Sequence, residues 1–193
     1  MGNGKNQVQT RGPERGGSKM IESVEDPFRL QAIDRGAPEE AGRIPDLCEL
    51  EEVLRDLFQR QILAVLSTQG QSGPWGSLVA FAATEDLRTL IFVTGRSTRK
   101  YSNLLANPHV AMVLDNRSNE LADFEEAIAV TATGLAAEAK EADREQLLTT
   151  YLKKHPHLRD FSTSPSCSLF RVEVEKFSIV YRFQNVVEMV PVT

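Results

Sequence analysis

Short apolar runs with a strand-like pattern follow one another along most of the chain. Phe170, Val172 and Val174 alternate with charged residues, the period of two expected of a strand that buries one face. Similar runs, rich in β-branched and aromatic residues, recur further upstream. The predicted strands cover residues 62–68, 77–84, 89–94, 110–115, 128–139, 168–176, 177–183 and 185–192. The turn-like connections 70–76 and 85–88 suit hairpins between antiparallel strands.

Two segments show helical spacing instead. Asp46 and Glu49 match a capping box, and apolar residues recur behind them every three to four positions as far as Phe58. A second helix is predicted over residues 143–154, with Pro156 just beyond its end. Because strands outnumber helices, the pattern predicts a mainly β fold. We expect an antiparallel, Greek-key-like β-barrel with flanking helices rather than a parallel sheet.

The first 44 residues have a different composition. Residues 1–44 contain many Gly, Pro and charged residues and few apolar ones, too few to support independent folding. We therefore predict a flexible N-terminal tail or arm over 1–44 and one domain over 45–193. A few apolar positions, Phe28 among them, would let part of the arm lie along the domain or along a partner subunit.

Composition and charge narrow the class of protein. The chain has 193 residues, a net charge of -5 and a pI near 5.3, which argues against a general nucleic-acid surface. The two cysteines, Cys48 and Cys167, have no metal-ligand or CxxC spacing, as in a reduced intracellular protein. No apolar stretch approaches the roughly 20 residues of a membrane span, and no signal-peptide core is present. The expectation is a cytoplasmic protein with no membrane or nucleic-acid partner.

Motifs of common catalytic sites are absent from the sequence. It contains no GxSxG, HExxH, GxxxxGK[ST] or GxGxxG pattern. His155 and His157 flank a proline without a third ligand nearby, so no metal site is predicted. Catalytic residues cannot be named from these patterns.

Residues 93–108 carry the strongest chemical signal. A strand ends in a polar turn, and Ser97, Thr98, Arg99 and Lys100 cluster around the first turn of a predicted helix. A helix start exposes unpaired N–H groups at the positive end of the macrodipole, so added hydroxyls and cations make a site for a phosphate monoester. The alternative is that Ser97 caps the helix and that the cations are solvated surface charges.

From Gln59 to about Glu138 the chain resembles the FMN-binding split β-barrel superfamily, the pyridoxamine 5′-phosphate oxidase-like proteins. Val93-Thr94, followed at the same spacing by Thr98-Arg99-Lys100, is similar to the family's strand end and its Ser-Arg-Lys run. Residues 107–115 resemble the family's next helix end and strand, and residues 130–138 resemble the long strand that closes the barrel. The resemblance implies FMN as cofactor, with its phosphate bound by Thr98, Arg99 and Lys100 and with Thr94 nearby.

The same resemblance implies contacts from the preceding strand. Ser77 stands where the oxidase has an arginine, and the backbone of the next three residues would face the flavin ring. The implied cofactor-binding residues are Ser77, Leu78, Val79, Ala80, Val93, Thr94, Ser97, Thr98, Arg99 and Lys100. The family's C-terminal Arg-His substrate signature is absent from residues 170–183. An FMN-dependent oxidoreductase with a small electron donor or acceptor is therefore implied, rather than pyridoxamine phosphate oxidation.

In this superfamily two chains pack together with FMN between them, so the resemblance also implies a homodimer. Residues that the second chain would contribute are Trp75, Arg117, Tyr181 and Arg182. Three alternatives stay open: a non-catalytic flavin-binding electron-transfer module, a deazaflavin-binding protein and a haem-binding relative. The related haem-degrading branch uses a histidine near the C-terminus, whereas no histidine follows His157 here.

Overall fold

The computed structural model describes residues 27–32, 46–182 and 185–192. The strands in these ranges are β1 (Phe28–Ala32), β2 (Leu63–Gly70), β3 (Gly73–Ala83), β4 (Thr89–Gly95), β5 (His109–Asp115), β6 (Ile128–Glu138), β7 (Cys167–Tyr181) and β8 (Asn185–Pro191). The helices are α1 (Leu47–Arg60), α2 (Arg99–Ala106), α3 (Asp123–Glu126), α4 (Glu141–Lys154) and α5 (Arg159–Thr163), with a 3-10 turn at Pro156–Leu158. Most of the predicted arm, residues 1–26 and 33–44, lies outside the described residues, so the boundary at 44 stays a prediction.

Six strands close into an antiparallel barrel. Their order is β7-β4-β3-β2-β5-β6, and β6 pairs back onto β7. Strand β5 pairs with β2 rather than with its predecessor β4, which gives the connection a Greek-key character. Strand β8 extends the sheet from β7, and β1, from within the predicted arm, adds to β8. The predicted mainly β fold, an antiparallel barrel with flanking helices, is confirmed.

The barrel interior is filled by the inward halves of the alternating strands. Leu66, Phe81, Phe92, Met112 and Val172 are fully buried there. Burial of side chains of this size stabilises the fold by about 1.5–3 kcal/mol each before the entropy cost is counted. The inside of the barrel is therefore a packed core, and a ligand site has to lie on its surface.

Helix α1 packs its apolar face onto this core. Its start has the predicted capping box: the Glu49 amide donates to Asp46 Oδ1 at 3.0 Å, and the Asp46 amide donates to Glu49 Oε2 at 2.9 Å. At its other end Phe58 packs edge-on against Phe81, with ring centres 5.8 Å apart. The helix thus begins and packs as its sequence predicts.

The sequence predicts two separate strands, 168–176 and 177–183, where the structure has one, β7. It is one strand of 15 residues, and its pairing with β6 shifts between Thr133 and Gly134, so that Glu175 has no partner. The extra residue explains the sequence pattern, because inward positions change from even numbers, ending at Val174, to odd numbers, beginning at Phe177. Because the bulge shifts the alternation by one residue, the sequence pattern indicates two strands instead of one.

The β2–β3 hairpin is also tighter than predicted. Gly70 pairs with Gly73 across a two-residue turn, so Pro74, Trp75 and Gly76 belong to the strand and not to a 70–76 loop. Gly73 has φ of +101°, a conformation that favours glycine and that the turn requires. Because β3 starts at Gly73, Trp75 lies in the sheet and not in a loop.

Helix α4 lies on the outer side of the barrel and forms a second, smaller core. Leu147, Tyr151 and Leu152 pack there with Ile91 and Val93 of β4. The helix starts at Glu141, two residues before the predicted 143, and ends at the predicted Lys154. Its position matters for function because it places α4 and α5 beside the strands that the sequence analysis assigns to the cofactor.

Two polar side chains, those of Lys154 and His155, fix the end of α4. Lys154 Nζ donates to the carbonyl oxygens of Phe58 at 2.6 Å and Gln61 at 2.7 Å, which ties α4 to the end of α1. Burial lowers the pKa of Lys154 to about 8. His155 is buried, and its Nε2 donates to the Phe81 carbonyl at 2.7 Å. The histidine that follows the predicted helix is thus a structural hydrogen-bond donor.

Candidate flavin-binding groove

A cavity of 280 Å³ lies where β3, β4, the start of α2 and the segment from α4 to α5 meet. Seven of the ten residues predicted from the sequence line it. They are Leu78, Val79, Ala80, Val93, Thr94, Thr98 and Lys100, and they share the lining with Gly95, Tyr151, Leu158 and Phe161. We call this cavity the groove.

The polar part of the lining is organised by Thr98, which begins α2. Thr98 has extended backbone angles and accepts a hydrogen bond from the Tyr101 amide at 3.3 Å, so it is the N-cap. Its hydroxyl also donates to the Gly95 carbonyl at 2.8 Å and lies 3.1 Å from the hydroxyl of the buried Thr94. Ser97 is exposed, and the alternative in which it caps the helix is wrong.

The three cations of this segment have different surroundings. Arg96 donates to Glu138 Oε1 at 3.0 Å and to the Tyr101 hydroxyl at 2.7 Å. The guanidinium of Arg99 lies over the Trp75 ring, 4.3 Å from its centre. Lys100 lines the groove. Among the described residues, no carboxylate lies within 4.0 Å of the charged groups of Arg99 or Lys100.

Glu138 is therefore the counter-ion of Arg96 alone within this cluster. Burial raises the pKa of Glu138, but hydrogen bonds from Tyr101 and Ser168 and the positive charge of Arg96 outweigh it, so the pKa lies below its usual range. The carboxylate stays ionised at neutral pH and holds Arg96. The other two cations of the cluster, Arg99 and Lys100, have no such partner among the described residues.

Three predicted residues do not line the groove. Ser77 faces Leu66 in the β2–β3 register, Ser97 is exposed in the turn, and Arg99 is stacked on Trp75. Four residues that do line it were not predicted as site residues. Tyr151 was assigned to the apolar face of a helix, and Leu158 and Phe161 follow Pro156 in a segment without a predicted element. Gly95 is not among the predicted residues although it directly follows Thr94, and no sequence signal marks the other three as lining residues.

None of the residues proposed for the second subunit lines the groove either. Arg117 pairs with Asp115 at 3.2 Å, and Tyr181 packs against the barrel core. Arg182 lies in the turn after β7, with φ of +46°. Their assignment to a partner's site stays a prediction.

A family model matches the part of the chain that forms the groove. Residues 50–181, more than half of the chain, match the family model of pyridoxamine 5′-phosphate oxidase. The chain belongs to the pyridoxamine 5′-phosphate oxidase family. No curated protein matches it.

Similar solved structures include proteins described by different ligands. A haem binding protein from Mycobacterium smegmatis has a TM-score of 0.66 at 15% identity over 77% of this chain, which spans 59% of that protein's length. The haem storage protein HutZ from Vibrio cholerae has a TM-score of 0.58 at 18% identity, over 68% of this chain and 94% of that one. An FAD-binding protein from Mesorhizobium loti has a TM-score of 0.54 at 13% identity, over 84% and 96%. At these identities the likeness is one of fold.

The family match reaches further than the resemblance seen in the sequence, which ended near Glu138. It includes α4, the 3-10 turn and α5, which supply Tyr151, Leu158 and Phe161 to the groove. All the lining residues thus fall within the part of the chain that matches the pyridoxamine 5′-phosphate oxidase family. Within the described residues, no group of three or more His, Cys, Asp or Glu side chains could hold a metal ion. No described helix has the length and hydropathy to cross a bilayer.

Proposed function

We propose that this member of the pyridoxamine 5′-phosphate oxidase family binds FMN in the groove and passes electrons through it to a small acceptor. One observation carries the proposal: a single cavity brings hydroxyls and a cation of the α2 start together with apolar side chains of two strands and two helices. FMN has the same division of chemistry, a phosphate monoester and a flat, largely apolar ring. The residues present fit the cofactor.

The phosphate is assigned to the start of α2. Arg99 and Lys100 are the first two residues of that helix, where the macrodipole disfavours a positive charge unless an anion is bound. The Thr94 and Thr98 hydroxyls lie side by side at the same end. The Thr98 proton is already donated to the Gly95 carbonyl, so the charged donors proposed for the phosphate are the two cations. A hydrogen bond from a cation to a phosphate is charge-assisted and contributes about 1.5–3 kcal/mol, which outweighs a dipole term of about 0.3–1 kcal/mol.

The ring is assigned to the apolar remainder of the groove. Leu78, Val93, Leu158 and Phe161 offer aliphatic and aromatic surface there. Bound FMN would supply the hydride or electron chemistry itself. The protein then needs only to bind, orient and shield the cofactor, which agrees with the absence of common catalytic motifs from the sequence.

A homodimer is part of the proposal. Leu63, Val65 and Leu78 are exposed on the outer face of β2 and β3, and Val65 lies opposite Leu78 in the register. Leu78 is 66% exposed and also lines the groove, so the apolar face and the groove are continuous. A second copy packed on this face would cover the groove and bury the exposed apolar side chains.

A haem-binding role is the second candidate, because two of the similar structures are described as haem binding or haem storage proteins. The lining gives it less support, since no histidine of the described chain is part of the groove. His155, the nearest in sequence to Tyr151, holds the Phe81 carbonyl. The longer anionic tail of a deazaflavin would need further cations, yet Arg96 and Arg117 are paired with Glu138 and Asp115.

The binding site can be tested by titrating the purified protein with FMN. Trp75 is the sole tryptophan of the chain and contacts Arg99, so its fluorescence reports on this region. We expect FMN to quench the emission, and we expect Lys100→Ala to raise the Kd about 10- to 100-fold through loss of a charge-assisted contact. Lys153→Ala, which removes an exposed lysine of α4, should leave the Kd unchanged. Equal affinity in the Lys100 and Lys153 variants would contradict the phosphate assignment.

The oxidoreductase part needs a separate measurement. Under anaerobic conditions, a reduced nicotinamide should bleach the flavin absorbance of the FMN-loaded protein, and a small acceptor should restore it. If neither NADH nor NADPH reduces the flavin, the protein is an electron-transfer or storage module rather than a nicotinamide-dependent enzyme. FMN binding itself is unaffected by that outcome.

A further inference from the structure

Tyr151 is the one lining residue that combines near-complete burial with a free polar group. Only 1% of its surface is exposed, and its ring packs in the apolar cluster beneath α4 together with Val93 and Cys167. The ring also contacts the ring of His155, tilted at 45° to it, with ring centres 5.0 Å apart. The side chain is held on several sides, so it has one position rather than many.

The Tyr151 hydroxyl has no hydrogen-bond partner among the described residues. His155, its aromatic neighbour, uses Nε2 for the Phe81 carbonyl. The hydroxyl oxygen is nevertheless not sealed from solvent, because the buried, unpartnered side-chain atoms of the described chain comprise only Arg171 Nε. In a residue that is otherwise buried and that lines the groove, the accessible atom faces the groove.

An unpaired hydroxyl at this place is unusual, because phenylalanine would fill the same apolar space. Buried side chains usually satisfy their polar atoms within the protein, whereas this hydroxyl meets only the opening of the groove. The neighbouring walls, Leu158 and Phe161, offer it no acceptor side chain. The hydroxyl is therefore placed to meet a group that enters the groove.

We propose that Tyr151 is a ligand-binding residue whose hydroxyl donates a hydrogen bond to the polar edge of the bound flavin ring, a carbonyl oxygen or an unprotonated ring nitrogen. This inference rests on the proposed function, because it takes FMN as the occupant. The ring rather than the phosphate is the acceptor, since the hydroxyl projects from an apolar wall and the phosphate is assigned to Lys100 and the start of α2. Burial raises the pKa of Tyr151 to about 12, so the hydroxyl keeps its proton at neutral pH.

The experiment compares the wild type with Tyr151→Phe, which removes the hydroxyl and keeps the ring. We expect the Kd for FMN to rise about 3- to 10-fold, as for loss of one hydrogen bond, and the visible absorption bands of the bound flavin to shift. The melting temperature of the FMN-free protein should stay the same or rise, because the hydroxyl has no partner in the described chain. A role in packing alone would move the melting temperature and leave the flavin bands in place.

Ser162→Ala is the matched control. Ser162 is buried on α5 beside the groove wall, but its hydroxyl donates internally to the Arg159 carbonyl at 3.0 Å. Its loss should leave the Kd and the flavin bands unchanged. If the wild type binds FMN and Tyr151→Phe has the same Kd and the same spectrum, the Tyr151 inference is wrong while the proposed function stands. If the wild type does not bind FMN at all, both are wrong.

Discussion

The surroundings of each side chain at the start of α2 determine which cations are available to a ligand. The sequence presents Arg96, Arg99 and Lys100 as one basic cluster, but the fold brings Glu138 of β6 to Arg96 and leaves the other two without a carboxylate in the described chain. The pairing joins residues 42 positions apart, so no local pattern could predict it. The same holds for Tyr151, whose contact with the groove arises only when α4 packs on β4.

His155 gives a pH-dependent prediction at the residue scale. Burial lowers the pKa of His155, and the nearby charges of Lys154 and His157 lower it further, against the hydrogen bond to the Phe81 carbonyl, which raises it. Between the usual histidine value of about 6.5 and the lower folded value, the unfolded chain binds a proton that the folded protein does not. The free energy of unfolding should therefore fall as the pH is lowered through this window.

Thermal melts between pH 7.5 and pH 5 would measure this dependence. In His155→Gln the fall in melting temperature on acidification should be smaller than in the wild type, because the titrating ring is gone. His109→Gln serves as the control, since His109 is exposed on β5. Identical pH dependence in the wild type and the His155 variant would contradict the assignment.

At the scale of elements, the bulge in β7 depends on a glycine in the strand beside it. A Cβ on Gly134 would overlap the carbonyl oxygen of Glu173 and lie 3.1 Å from the Val174 Cα, and both of these are backbone atoms that cannot rotate away. We expect Gly134→Ala to lower the free energy of unfolding by about 1–3 kcal/mol, the cost of overpacking a well-packed site. Urea denaturation of the FMN-free protein measures it.

Gly76 of β3 provides the comparison. A Cβ there would meet only the Val65 side chain, at 3.8 Å, an ordinary van der Waals contact. Gly76→Ala should therefore change the unfolding free energy by no more than about 0.5 kcal/mol. An equal loss of stability in both variants would show that the close approach of β6 and β7 is not the cause.

These elements also show how far the sequence predicts the fold. Alternation places the strands, and the capping box places α1, because both signals are local. The bulge at Glu175 breaks the alternation, so one strand of 15 residues is predicted as two. The strand half of the groove was predictable from the segment around Thr94 and Thr98, whereas the wall from Leu158 to Phe161 was not, since short helices without an apolar repeat leave no periodic signal.

At the scale of the whole molecule, two anchors hold the groove wall in place. Lys154 ties the end of α4 to the end of α1, and His155 ties it to the backbone of β3. The wall that contains Tyr151 is thereby coupled to the barrel core, where Phe58 and Phe81 are in contact. The groove is a consequence of the complete fold and not of one motif.

The proposed homodimer gives the last prediction. Val65 lies between Leu78 of β3 and Val113 of β5 on the outer face of the barrel, and it does not line the groove. An aspartate at this position would place an unpaired carboxylate in an apolar interface, at a cost of several kcal/mol. In sedimentation velocity, Val65→Asp should therefore shift the protein from dimer to monomer and weaken FMN binding, because the proposed interface covers the groove. Leu121→Asp, at a residue 87% exposed between β5 and β6, should remain dimeric. A monomeric wild type would contradict the dimer, and a dimeric Val65→Asp variant would place the interface on another face.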